Sequence, residues 1–188
     1  SLRSGLARYI NELSGTSFSA PQVWVANGSN EIIQSLFLAF GDRGAIGFLP
    51  SYSMHPLIAR VTSTQWVEGK RRSDFSLDID SAITQITAAA PALTFITTPN
   101  NPTGEAITLG DIERIAQHVT GLLVVDEAYD EYLRDEDKSI AFSWLAEYKN
   151  LLISRSFSKA HGLAGLRIGY GVGSKEVINL MNRVRQPF

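Results

Sequence analysis

Short apolar runs alternate along this chain with stretches in which apolar residues recur every three or four positions. That rhythm marks repeated strand–helix units and predicts a mostly parallel sheet covered by helices. Leu2, Leu6, Tyr9, Ile10 and Leu13 share one helical face, and Gly15 supplies a stop. Residues 23–26 read as a short strand. After the polar turn Asn27-Gly28-Ser29-Asn30, the residues Ile32, Ile33, Leu36, Phe37 and Phe40 form the face of a second helix, closed by Gly41.

The pattern continues with a strand at 45–49, a loop at Pro50-Ser51-Tyr52, a helix through about Val61, a strand near 65–68 and a helix near 80–89. Residues 93–98 read as a buried strand. The run Pro99-Asn100-Asn101-Pro102-Thr103-Gly104 then forms a shaped loop, because its prolines can continue neither strand nor helix. A helix at 109–118, a strand at 122–125, a helix near 139–148 and a strand at 151–155 complete the reading. The expected fold is α/β, a three-layer sandwich with a mostly parallel sheet. Polar residues repeatedly follow the strand ends, and in open parallel sheets that edge is where ligands bind.

Composition narrows the classes. With 188 residues, 44% of them hydrophobic and 19% charged, one core-forming domain spanning 1–188 is expected. A formal charge of −2 offers no basic face for nucleic acid, and the one dense basic stretch, Lys70-Arg71-Arg72, suits a solvated loop. Cysteine is absent, which excludes disulfides and thiolate metal sites and suits a cytoplasmic protein. No apolar run approaches the roughly 18–20 residues of a membrane span, and no leader opens the chain. Ser1 stands just ahead of one helical pattern and Pro187-Phe188 just after another, so a fragment of a longer protein is expected.

Two strand ends carry candidate chemistry. Asp126 closes an apolar strand and is followed by Glu127-Ala128-Tyr129, although an isolated aspartate there would serve equally as a helix cap or turn residue. Ser156-Phe157-Ser158-Lys159 follows the next strand, with Gly165-Leu166-Arg167 shortly after. Two hydroxyls and a guanidinium around an amine can hold an anionic group beside a reactive nitrogen. The Gly28-Ser29-Asn30 turn is neither a P-loop nor a dinucleotide fingerprint. His55, His118 and His161 show no metal-ligand grouping, and a structural role is expected for each; no metal site is expected.

Together and in order, Asn101-Pro102-Thr103-Gly104, Asp126-Glu127-Ala128-Tyr129, Ser156-Phe157-Ser158-Lys159 and Gly165-Leu166-Arg167 resemble the fold-type I pyridoxal-phosphate-dependent aminotransferases. The resemblance covers nearly the whole chain. Within that group, Asn27-Gly28-Ser29-Asn30-Glu31, Pro50-Ser51-Tyr52-Ser53-Met54 and Asp126-Glu127-Ala128-Tyr129 look most like the histidinol-phosphate aminotransferases.

The resemblance implies the large domain of such an enzyme, with pyridoxal 5'-phosphate as cofactor. It implies Lys159 as the covalent anchor and general acid–base, since only a primary amine forms an exchangeable imine. Asp126 would face the pyridine nitrogen, and Asn101 and Tyr129 the phenolic oxygen. Tyr52 would stack on the ring, and Gly28, Ser29, Asn30, Ser156, Ser158 and Arg167 would hold the phosphate. The implied reaction is amino transfer between histidinol phosphate and 2-oxoglutarate in a cytoplasmic homodimer, with small-molecule partners and neither nucleic acid nor membrane. An N-terminal arm and a C-terminal small domain bearing the substrate-carboxylate arginine would lie outside the chain, leaving it incompetent alone. The rival readings are an aromatic-amino-acid aminotransferase, a threonine-phosphate decarboxylase and, from another class, an aminotransferase-like ligand-sensing domain of a regulator.

Overall fold

The alternation of buried and half-buried positions resolves into one seven-stranded sheet in the computed structural model, which describes residues 1–133 and 141–185. The strands are β1 (Val23–Ala26), β2 (Ala45–Leu49), β3 (Trp66–Lys70), β4 (Leu93–Thr97), β5 (Leu122–Asp126), β6 (Leu151–Ser156) and β7 (Gly169–Gly173), in the order β1-β7-β6-β5-β4-β2-β3. β7 runs antiparallel to both neighbours and every other pairing is parallel.

Side chains alternate across each strand, so the central strands feed two cores. Leu123 and Val125 of β5 and Leu151 and Ile153 of β6 face one helical layer, made by α1 (Leu2–Ser14), α4 (Ile79–Ala89) and α5 (Leu109–Ala116). Leu122, Val124 and Leu152 face the other, made by α2 (Ser29–Phe40), α3 (Met54–Val61) and α6 (Lys175–Arg183). Hence the apolar runs of β4 and β5: strands buried on both faces need no polar alternation. Among the described residues no helix is long and apolar enough to cross a membrane.

Three details differ from the sequence reading. β3 begins one residue later and runs on to Lys70, because its parallel ladder with β2 continues from Ala45↔Trp66 to Leu49↔Lys70. The helix expected at 139–148 is a short 3-10 helix, Ala141–Ala146, and its first two expected residues lie outside the described ones. β7 was not anticipated. Three of its five residues are glycine, a composition that weakens strand signals, and one of those glycines answers to a close approach. A Cβ on Gly169 would stand 2.5 Å from Ser29 N and 2.7 Å from Gly28 C.

Parallel pairing sends the ends of β2, β4, β5 and β6 to one edge of the sheet, β1 ends at that edge too, and antiparallel β7 begins there. The segments after β1, β2, β4, β5 and β6, and the one before β7, therefore converge.

Candidate active site

At that edge a single pocket is lined by Ser29, Asn30, Tyr52, Asn101, Asp126, Tyr129, Ser156, Ser158, Lys159 and Arg167, with Thr97 and Ala128 between them. Ten of the eleven expected site residues thus share one cavity. Gly28, the eleventh, lies directly behind it. Its φ of 82° suits glycine, and a Cβ there would meet Arg167 Nη2 at 2.6 Å, so the bare backbone lets the guanidinium lie flat against the turn.

The anion-facing side is built from local geometry. Gly28 is the N-cap of α2, a twelve-residue helix whose first N–H groups, beginning with Ser29 and Asn30, have no intrahelical acceptor. Ser156 Oγ accepts a hydrogen bond from Ser158 N at 3.1 Å, and Arg167 Nη1 donates to Ser158 Oγ at 3.4 Å and to Ala164 O at 3.3 Å. Arg167 itself takes the left-handed conformation, φ 51°, which turns the chain from the Leu163–Leu166 segment into β7. Hydroxyls, helix-end N–H groups and one guanidinium converge as a doubly charged phosphoryl group requires.

Across the pocket lie the titratable groups. Asp126 ends β5, almost fully buried; its Oδ2 is 3.2 Å from His55 Nε2, while Oδ1 is buried with no hydrogen-bond partner among the described residues. His55 is buried on α3, its ring 4.7 Å from Phe95 and edge-on to Tyr52 at 5.4 Å. Wedged there, it fixes the carboxylate of a residue that lines the pocket through one oxygen and leaves the other for a further donor. The expectation that His55 is merely a structural histidine missed this pairing, which joins residues far apart in sequence. No local sequence signal announces a contact between positions 71 residues apart.

Lys159 is exposed, with Nζ 5.1 Å from the centroid of the Tyr129 ring. A hydrogen bond to the Tyr129 side chain holds its pKa above the ordinary lysine value, outweighing the opposing effect of partial burial. Tyr129→Phe is therefore expected to lower the Lys159 pKa and enlarge the neutral, nucleophilic fraction near neutral pH. Faster labelling of the Lys159 peptide by an amine-directed reagent, followed by mass spectrometry, would show it. An unchanged or slower rate would contradict the pairing.

Beneath the pocket, Arg155 of β6 ties the site together from the opposite face of the sheet. Its Nε and Nη2 donate to Glu127 Oε2 at 2.9 and 2.7 Å, Nη2 also donates to Asp130 Oδ2 at 2.7 Å, and its guanidinium lies 4.6 Å above the Phe142 ring. Glu127 follows Asp126 and Asp130 follows Tyr129, so both pocket residues are anchored through their neighbours.

The sheet order, the two helical layers and the site at the strand ends define the fold-type I aminotransferase architecture. Solved structures agree: an aspartate aminotransferase of Thermus thermophilus superposes with a TM-score of 0.86 at 28% identity, over 97% of this chain and 52% of that one. The fold of a histidinol-phosphate aminotransferase of Sinorhizobium meliloti superposes at 0.86 and 23%, over 98% and 50%. The model of the family "Aminotransferase class I and II" matches residues 1–188. The chain belongs to that family. It is 46% identical to the histidinol-phosphate aminotransferase of Thermobifida fusca, and 43% identical to that of Mycobacterium avium, over its whole length. It spans about half the length of these relatives, 50% and 47% respectively.

Proposed function

We propose that residues 1–188 form the cofactor-binding large domain of a pyridoxal-phosphate-dependent histidinol-phosphate aminotransferase. Its reaction is the reversible exchange of an amino group between histidinol phosphate and 2-oxoglutarate, in histidine biosynthesis. Family membership and the names of relatives at 43–46% identity support this reading. The observation that carries it is the meeting of Lys159, Tyr129, Asn101 and the half-satisfied Asp126 with an anion cradle in one pocket.

The pocket fits pyridoxal phosphate on its own chemistry. Asp126 Oδ1 is a buried acceptor in need of a cationic N–H, which a protonated pyridine supplies, and the Ser156–Ser158–Arg167 cradle with the α2 end suits the phosphate. Asn101 and Tyr129 would hold the phenolic oxygen and Tyr52 would cover a ring face. When bound, the cofactor supplies an electron sink for the substrate α-carbon. The chain's part would be positional and protolytic: Lys159 Nζ would hold the cofactor and, as a free amine, would carry the substrate's α-proton. Asp126, held by His55, would face the ring nitrogen.

A cytoplasmic location and a homodimer complete the proposal, on the resemblance alone. The test compares kcat/KM for histidinol phosphate, phenylalanine and tyrosine with the full-length protein. Histidinol phosphate is expected to lead by about tenfold or more, a barrier difference of about 1.4 kcal/mol. A tenfold lead for an aromatic amino acid would make the protein an aromatic-amino-acid aminotransferase instead.

A further inference from the structure

Tyr52 and Asn101 reach the pocket on separate loops, after β2 and after β4, and a single buried side chain joins the two. Asn100, 2% exposed, accepts a hydrogen bond from Ser51 Oγ at 2.8 Å through Oδ1. Its two Nδ2 hydrogens go to Pro50 O at 3.0 Å and Thr103 Oγ1 at 2.8 Å. Its main chain is used as well: N donates to Glu105 O and O accepts from Gly104 N, each at 2.7 Å. Ser51 Oγ also sits 3.1 Å from Thr97 Oγ1, on the strand end that lines the pocket. Every polar atom of Asn100 is thus engaged, and the side-chain bonds to Pro50 and Ser51 cross between the loops.

The residue type follows from this demand. Two donors and one acceptor at the end of a short, branched side chain are offered by asparagine alone; aspartate lacks the donors and glutamine is a methylene longer. The far end of the Asn101 loop has its own anchor: Glu105 pairs with buried Arg71, whose Nε donates to Phe48 O, and Glu105 Oε1 accepts from Leu77 N at 3.0 Å. The loop thus has an anchor independent of the Asn100 side chain, and what that side chain adds is the link between the Tyr52 and Asn101 loops.

We propose that Asn100 is a positioning residue that sets the distance between Tyr52 and Asn101, so that one cofactor ring is gripped at its face and its phenolic edge at once. The proposal rests on the pyridoxal-phosphate reading. In the full-length holoenzyme, Asn100→Ala is expected to weaken pyridoxal phosphate binding about tenfold, the scale of losing two well-made hydrogen bonds. It should also displace the pH titration of the bound cofactor's absorption. Ser51→Ala, which loses one inter-loop bond and keeps Asn100, should move both readouts the same way by less, and carries the test if Asn100→Ala fails to fold. Thr103→Ala loses only the bond internal to the loop and should leave both at their wild-type values. Wild-type titration and affinity in the Asn100 and Ser51 variants would overturn the proposal, as would an equal shift in Thr103→Ala, which would mark a general loosening of the loop. A wild-type protein with no borohydride-fixed adduct on Lys159 would overturn the cofactor reading itself, and the positioning role with it.

Discussion

Lys159→Arg is expected to eliminate the borohydride-fixed cofactor adduct on the Lys159 peptide and to lower transamination by about a thousandfold or more, the scale on which a covalent catalyst is lost. Arginine preserves the positive charge over the Tyr129 ring but cannot form an exchangeable imine or shuttle the α-proton at neutral pH. The pocket and its phosphate cradle should therefore remain, and noncovalent pyridoxal phosphate binding should persist in the variant. An adduct that maps to a different lysine, or near wild-type turnover, would remove Lys159 from the role.

The second large effect concerns Asp126. Asp126→Asn keeps an oxygen for His55 and nearly the same volume in a buried position, so the fold and much of the cofactor affinity should survive. On the proposed reading, what disappears is the carboxylate charge assigned to the ring nitrogen, and with it the preference for the protonated, electron-accepting ring. Turnover is expected to fall by about a hundredfold, within the range seen when one preorganised electrostatic contact is removed. Wild-type turnover in the loaded variant would dismiss the electronic role. His55→Phe gives an internal comparison: it spares the charge but frees the carboxylate to rotate, so its loss should fall between wild type and Asp126→Asn.

How much of this was legible before the structure depends on the range of the interactions concerned. The double-sided burial of β5 leaves an unbroken apolar run and that of β4 a run broken only by Thr94, and the polar residues closing each strand mark the edge where they gather. β7 is written in glycines whose reason lies in the α2 turn, far off in the chain, so its own five residues carry almost no strand signal. The pairing of His55 with Asp126, the anchoring of Glu127 and Asp130 on Arg155 and the bridging by Asn100 are all long-range. Each involves a residue type that is unremarkable where it stands and acquires a task only when the sheet order brings its partner alongside. The 3-10 form of Ala141–Ala146 was likewise beyond periodicity, which does not separate a short tight helix from an α-helix over six residues.

The backing of the site by Arg155 bears on how this protein can change length. Asp126 shares a sheet face with Leu122 and Val124 and meets His55, whereas Glu127 continues the face of Leu123 and Val125 and meets Arg155. Two adjacent carboxylates, chemically almost alike, are assigned opposite tasks by parity alone. Inserting or deleting one residue between Leu122 and Val125 would move each acid to the other face of the sheet, away from its present partner, and would turn over the apolar residues beyond the change as well. Changes of length in this lineage should therefore fall outside β5, which should behave as a ruler that admits substitutions but no change in count.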